Sequence, residues 1–410
     1  MTEPILAWRN VWRNPRRTLL TALAVGFSGA VIIFFVSLQL SSYEASINAT
    51  TRLFQGHIQI QSKKYFEKPQ IRQVIQQPDQ ILHLIKEENA LSAATERAFG
   101  FALISSDERT YGVQVVGVQP LSEMQVSSIP GRVVKGEYFT KEDSQEMILG
   151  EMLAKNLKVT LGDEVTLLGQ GKDGSLAATV LKVKGIFASG SKELDRLMIH
   201  IPIKTFQNEF AMEGAVHTLT LQLEKISEVN KVEQSLEKAL LDRHIDELGV
   251  YRWDELIPGL KQAIELDLIA GWVFFLLLII IVSSSTLNTF LMSVLERGRE
   301  FGVMLSLGAT PFRIARMLWI ECLIITLLGI FLGMVLGAAI VTYFFHHGFS
   351  VPGTEELLAV WNLPSAIYPR LTLKSMLLGP TVLTSVAMLS SLYPMYRVFT
   401  LEPVAAVAGR

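Results

Sequence analysis

Four stretches of the chain carry no Asp, Glu, Lys or Arg: residues 19–40, 268–294, 322–345 and 375–395. Each reaches the roughly 20 residues that a membrane-spanning α-helix requires. They predict transmembrane helices over residues 18–40, 268–294, 319–345 and 375–396. Residues 41–267 follow a different pattern. Residues 56–61, Gly-His-Ile-Gln-Ile-Gln, alternate strictly, which predicts a half-buried strand. Residues 111–118, 164–168, 179–188 and 217–223 also read as strands, with the glycines of 169–174 forming a hairpin turn. Residues 79–89 and 227–241 have helical periodicity, and 254–267 predict a helix running into the second span. The segment is large enough for its own core. The expected fold class is an α-helical membrane protein with four transmembrane helices and a large α+β extracytoplasmic domain, in two lobes, between helices one and two.

Charge placement orients this pattern. Residues 1–17 carry Trp8 and Trp12 at helical spacing beside Arg9, Arg13, Arg16 and Arg17. They predict an amphipathic helix on the inner leaflet, broken by Pro15. Arg297, Arg299, Arg313 and Arg316 crowd the segment 295–318, and Arg397 and Arg410 lie in the tail 397–410, whereas the loop 346–374 has only Arg370 and Lys374 near its end. Excess Lys and Arg marks the cytoplasmic side. Both termini and 295–318 are therefore expected in the cytoplasm, with 41–267 and 346–374 outside it. A cleaved signal peptide is the rival for the first run. That run is long for a signal core and lacks a small-x-small site. Overall composition adds little: 410 residues, 50% hydrophobic, net charge −2. This balance gives no reason to expect a nucleic-acid partner. The single cysteine, Cys322, permits no intrachain disulfide and reads as a small core residue.

Chemistry concentrates in residues 295–321. Gly308-Ala309-Thr310-Pro311 is a turn followed by a helix start, with Thr310 as N-cap and Pro311 as first helical residue. Glu300, Arg313 and Arg316 would lie on a short amphipathic structure at the membrane surface. It is either a docking element for a partner or an ordinary basic loop. Ala22, Gly26 and Ala30 in the first span, and Gly329, Gly333 and Gly337 in the third, recur every four residues and let helices approach closely. The pattern fits packing within one subunit and packing between two permeases equally. Ser283–Ser285, Thr286, Asn288 and Thr289 give the second span a polar half, for helix packing or substrate contact. No span has an ionisable group in its middle, as ion-driven transporters usually do, so the energy for any membrane work is expected from another subunit. The sequence has no G-x-x-x-x-G-K-[ST], H-E-x-x-H, EF-hand loop or G-x-S-x-G, so neither catalysis nor metal binding is expected of it. The adjacent His346 and His347 make a weak metal site. Asp107-Glu108 and Glu355-Glu356 read as solvated surface.

Four stretches together resemble the MacB/FtsX-type ABC transporter permeases, a group that includes the lipoprotein-releasing Lol permeases. They are Leu6-Ala7-Trp8-Arg9-Asn10 through Pro15-Arg16-Arg17-Thr18; residues 147–163, MILGEMLAKNLKVTLGD; residues 296–314, similar to the family's E-R-x-x-E-x-G-x-x-x-x-x-G-A-T-P segment; and Leu392-Tyr393-Pro394 with Arg397 and Glu402-Pro403. The resemblance implies a permease that pairs with a second copy or a paralogue and sits on a dimer of separate ATPase subunits, which bind ATP and Mg. It implies that Glu296, Arg297, Glu300, Gly302, Gly308, Thr310, Pro311 and Arg313 couple to that ATPase, and that motion is relayed to the outer domain. Residues 56–61 and the overall length are most similar to the lipoprotein-release branch, which implies extraction of lipidated substrates from the outer leaflet of a bacterial inner membrane. The turn 169–174 lacks the proline and arginine of the hairpin with which one Lol permease recruits a periplasmic carrier, which argues against handover to a carrier. A MacB-like efflux permease with a periplasmic adaptor and outer-membrane channel, and a membrane-tethered sensor that transports nothing, are the alternatives.

Overall fold

The computed structural model describes residues 3–86, 88, 90–107, 109–142, 144–353 and 365–400. Glu108, Glu355, Glu356, Glu402, Pro403 and the tail beyond residue 400 lie outside the described residues. The chain divides into two compact units: residues 1–43, 263–350 and 366–410, and residues 44–262 with 351–365. Each is described by itself.

The first unit is helical. Its helices are α1 (Glu3–Val11), α2 (Pro15–Thr50), α3 (Pro258–Glu296), α4 (Gly298–Ser306), α5 (Pro311–His347) and α6 (Leu373–Phe399). α2, α3, α5 and α6 are long and apolar enough to cross a membrane. Two local expectations change. α1 ends at Val11, before Pro15, and Pro15 instead opens α2. A proline suits a first helical position because its missing N–H would have no partner there. α2 also continues through Thr50, and α3 begins at Pro258. Backbone hydrogen bonds propagate regardless of side-chain polarity, so a charge-free run marks hydrocarbon depth and not the helix end.

The two small-residue stripes meet within this one chain. A Cβ added to Gly333 would lie 2.6 Å from the carbonyl oxygen of Gly26, and one added to Gly329 would lie 2.7 Å from that of Ala22. A Cβ at Gly337 would be 3.2 Å from Ala30 Cα. Between α2 and α5 the absence of side chains is therefore what allows backbone approach. The polar half of α3 is divided. Thr289 Oγ1 lies 3.0 Å from Thr21 Oγ1, and Ser283 Oγ lies 2.6 Å from Ser390 Oγ on α6. Ser284 and Asn288 instead point out of the unit. Cys322 is buried, with its thiol 3.7 Å from the carbonyl of Ala387.

The second unit is built on twelve strands: β1 (Ile58–Ser62), β2 (Ile75–Gln76), β3 (Leu91–Ser105), β4 (Thr110–Val118), β5 (Val133–Gly136), β6 (Glu146–Gly150), β7 (Glu164–Gln170), β8 (Leu176–Phe187), β9 (Met198–Pro202), β10 (Ala215–Val216), β11 (Thr218–Leu223) and β12 (Leu248–Arg252). Ten form one sheet in the order β12-β1-β11-β3-β4-β9-β6-β8-β5, and β7 pairs with both β3 and β8. The pairings β3·β4·β9·β6·β8·β7·β3 close on themselves. The fifteen-residue β3 makes this possible: its first half pairs with β11 and its second half with β7. Inward residues such as Val115, Leu149, Leu167, Leu181 and Ile199 fill the core.

The alternation in β1 and β11 is real, but these strands are not half-buried as expected. Every residue of both is buried. Their polar face is covered as well, and part of it is hydrogen-bonded. Gln59 donates to the carbonyl of Gln55 at 2.7 Å. Beside Thr220 lies a fully buried pair, with Arg97 Nε and Nη2 donating to the two carboxylate oxygens of Glu123 at 2.9 and 2.8 Å. Arg97 also donates to the carbonyl of Phe54 and lies 4.4 Å over its ring. A buried ion pair persists when its remaining hydrogen-bonding capacity is also met, as it is here.

Candidate functional site

The arginine-rich turn is built by α3, α4 and α5 of the first unit. α3 ends at Glu296, α4 runs to Ser306, and Gly308 reverses the chain with φ +92°, a conformation that suits glycine. The Thr310 hydroxyl accepts from the Arg313 N–H at 3.4 Å, and Pro311 opens α5. The cap and proline set the direction of the helix that follows.

An ion-pair network holds this turn. Arg297 Nη1 donates to both carboxylate oxygens of Glu321 at 3.0 Å, with side chains only 9% and 5% exposed. Arg297 Nε donates to Glu300 at 3.2 Å, and its guanidinium lies 5.0 Å from the Phe301 ring centroid. Glu300 accepts two further bonds from Arg13, at 3.0 and 2.6 Å. These bonds, with that from Arg297, hold its carboxyl below the usual range, and the Glu300 partner raises Arg13. Asn10 Nδ2 donates to Glu321 at 2.7 Å. Arg17 donates to Glu296 at 2.9 Å and to the carbonyl of Thr289. Beneath the network, Ala7, Val294, Phe301, Ile314, Leu318 and Val398 form an apolar cluster.

This geometry separates the residues that the resemblance pointed to. Glu296, Arg297 and Glu300 are engaged inside the chain, and Gly302 is buried. Gly308, Thr310 and Arg313 are exposed, and Pro311 is half-buried. Leu307 and Phe312 bracket the turn at 83% and 68% exposure. Sequence reasoning missed Asn10 and Glu321. The available signal was an acid placed immediately before a charge-free run, facing a chain rich in arginine. Ala22, Gly26, Ala30, Gly329, Gly333 and Gly337 lie together on the α2–α5 contact described above. Among the described residues no cluster of His, Cys, Asp or Glu could hold a metal ion.

Comparison with known proteins agrees with this layout. The family described as "MacB-like periplasmic core domain" matches residues 18–239, and "FtsX-like permease C-terminal" matches residues 272–403. The chain belongs to the MacB/FtsX-type ABC transporter permeases. It is 23% identical to the lipoprotein-releasing system transmembrane protein LolE of Haemophilus influenzae, over 100% of this chain and 99% of that protein. It is 25% identical to the macrolide export ATP-binding/permease protein MacB of Wolinella succinogenes over 212 residues, 50% of this chain and 33% of that protein. The chain thus spans about a third of that relative's length, and 52% of a MacB relative from Yersinia pestis. The periplasmic region of MacB from Actinobacillus actinomycetemcomitans aligns with a TM-score of 0.38 at 15% identity, covering 51% of this chain and 92% of that structure.

Proposed function

We propose that this permease subunit couples ATP hydrolysis by a separate subunit to motion of its α/β domain, and that it extracts lipoproteins or other lipidated substrates from the outer leaflet of the inner membrane. In this reading the α/β domain lies in the periplasm between the first and second spans, and the arginine-rich turn is cytoplasmic. The ATPase dimer, with its bound ATP and Mg, docks on Leu307–Phe312, and the permease pairs with a second copy or a paralogue. The observation that carries the reading is the ion-pair network. Arg297–Glu321 and Arg13–Glu300 brace the base of the turn while its tip stays exposed, so a push at the tip would be transmitted to the helices and not absorbed by a flexible loop. The assignment to lipoprotein release is supported by the end-to-end match to LolE. MacB-like export with a periplasmic adaptor is the second reading, supported by the matches to MacB.

The test is purification of the tagged protein from its own membranes in mild detergent, with mass spectrometry of what accompanies it. An ATPase subunit with lipidated proteins is the expected result. An ATPase with an adaptor and an outer-membrane channel would replace release by export. Recovery without any ATPase, under conditions that preserve known complexes, would overturn the coupling reading in favour of a sensor.

A further inference from the structure

We infer that Arg97 is a positioning residue for energy transfer, locking the carboxyl end of α2 into the α/β domain as a joint without play. Its role rests on the coupling reading above; the joint itself is read from geometry. α2 passes at Thr50 into a π-helical turn, Thr51–Gln55. Such turns are rare and frequent at functional sites. A helix end leaves its last four carbonyls without intrahelical partners. Here these belong to Arg52, Leu53, Phe54 and Gln55, while the Thr51 carbonyl accepts from the Gly56 N–H at 2.8 Å. The α/β domain supplies a donor to each of the four. The Ser128 N–H donates to Arg52 at 2.7 Å and the Ser127 hydroxyl to Leu53 at 2.9 Å. Arg97 Nη1 donates to Phe54, and Gln59 Nε2 donates to Gln55 at 2.7 Å. These donors come from β1, β3 and the residues that follow the helix Pro120–Val126.

Arg97 is the charged donor of the set. A charged donor makes roughly twice as strong a bond as a neutral one, and the negative end of a helix dipole favours a cation. Glu123 grips Arg97 Nε and Nη2 with both side chains fully buried, so the guanidinium has nowhere to swing. Gly56, with φ +72°, leaves no slack between the turn and β1. A Cβ there would lie 2.4 Å from Thr220 Cγ2 and 2.9 Å from the Leu221 carbonyl oxygen. The return link differs. Pro258 has no N–H, so it interrupts the backbone ladder between the short helix Trp253–Leu256 and α3. The ion pairs beside it, Arg252–Asp254 at 3.0 Å and Lys261–Asp254 at 3.4 Å, are partly exposed and hold weakly. A push arriving along α2 would thus reach the α/β domain undiminished, and the return link would take up the bend.

The experiment is hydrogen exchange with mass spectrometry on the full chain in neutral detergent. It needs neither ATPase nor cargo, so a negative result strikes the joint and leaves the coupling reading to its own test. In wild type the amides of residues 51–56 should exchange as slowly as those of β4, and more slowly than those of 253–261. Arg97→Met combined with Glu123→Leu removes both charges together, so that neither is left stranded. Exchange at 51–56 should then rise about tenfold, the worth of one hydrogen bond from a charged donor, while β7 keeps its rate. Wild-type exchange at 51–56 as fast as at 253–261 would overturn the inference. So would an unchanged rate at 51–56 in the double variant, or a rise spread equally over the domain, which would mark the pair as general support only.

Discussion

Arg297 and Glu321 form a two-pronged contact, with one guanidinium nitrogen 3.0 Å from each carboxylate oxygen and both side chains withdrawn from solvent. The pair ties Arg297, between α3 and α4, to the third turn of α5, across the loop that reverses the chain. Removing one partner of such a pair leaves an uncompensated charge, which costs about 3–5 kcal/mol. Arg297→Gln and Glu321→Gln should therefore each lower the unfolding temperature of the purified protein markedly. The double variant should be less destabilised than the sum of the two. Strict additivity in that thermal double-mutant cycle would show that the two groups do not interact.

Arg13 and Glu300 are different in kind. Their side chains are 50% and 44% exposed, so the pair adds only about 0.2–1 kcal/mol to stability. Its consequence lies in where it holds the link between α1 and α2 against the turn. Arg13→Glu should leave the unfolding temperature nearly unchanged but weaken ATPase co-purification. Glu300→Arg also sets a cation beside Arg297 and should cost stability too, and the combined charge swap should restore co-purification. A swap that recovers nothing would remove the pair from the coupling path.

How much of this was legible follows from how local each signal is. Gly308, Thr310 and Pro311 announce a reversal and a helix start by their own backbone chemistry, and the structure places both there. The membrane helices announce themselves by absence of charge. β1 was legible by alternation, but its second buried face was not, because the cover comes from Arg97, Glu123 and Gln55, residues that carry no mark of burial. β6 and β9 escaped notice because they are short and buried on both sides, without an alternating period. Asn10 and Glu321 are separated by 311 positions, and no local pattern relates them. The stripes at Gly26 and Gly333 were visible, but their mutual partnership needed coordinates.

The contact between α2 and α5 leaves no room for a side chain. At Gly333 a Cβ would sit 2.6 Å from the carbonyl oxygen of Gly26, with backbone as the obstacle. Backbone cannot rotate aside as a flexible side chain can. Gly333→Val should separate the helices and destabilise the protein by about 1–3 kcal/mol, the usual cost of overpacking. Gly298→Ala, at a position where a Cβ would meet nothing within 4 Å, should be tolerated. Thermal unfolding of both variants in detergent checks the contrast. Equal behaviour would mean that the contact is looser than the structure has it.

The α/β domain should lose stability on mild acidification. His57, His200 and His217 are buried there, and burial is the largest cause lowering their pKa values, to about 4, 3 and 4. Hydrogen bonds agree for two of them. His57 Nδ1 accepts from the Leu223 N–H at 3.1 Å, and His217 Nδ1 accepts from the Phe99 N–H at 2.9 Å, so each ring must stay neutral at that nitrogen. Among the described residues neither ring nitrogen of His200 has a hydrogen-bond partner, and the Arg97 charge opposes its protonation. In the unfolded chain each would titrate near 6.5. The unfolded state therefore takes up protons first as pH falls. The stabilisation is complete above about pH 6.5 and is lost progressively towards the folded values. Glu96 works against this, since burial first, then Asp79 and Glu142, raise it to about 7, but it is one group against three. Between pH 7 and pH 5 the loss should be on the order of 1–2 kcal/mol per histidine. A His200→Phe variant, which removes the buried ring nitrogens, should show a shallower pH dependence in thermal unfolding of the full chain. An unchanged pH profile in that variant would show that His200 already carries a proton-accepting path to solvent in the folded state.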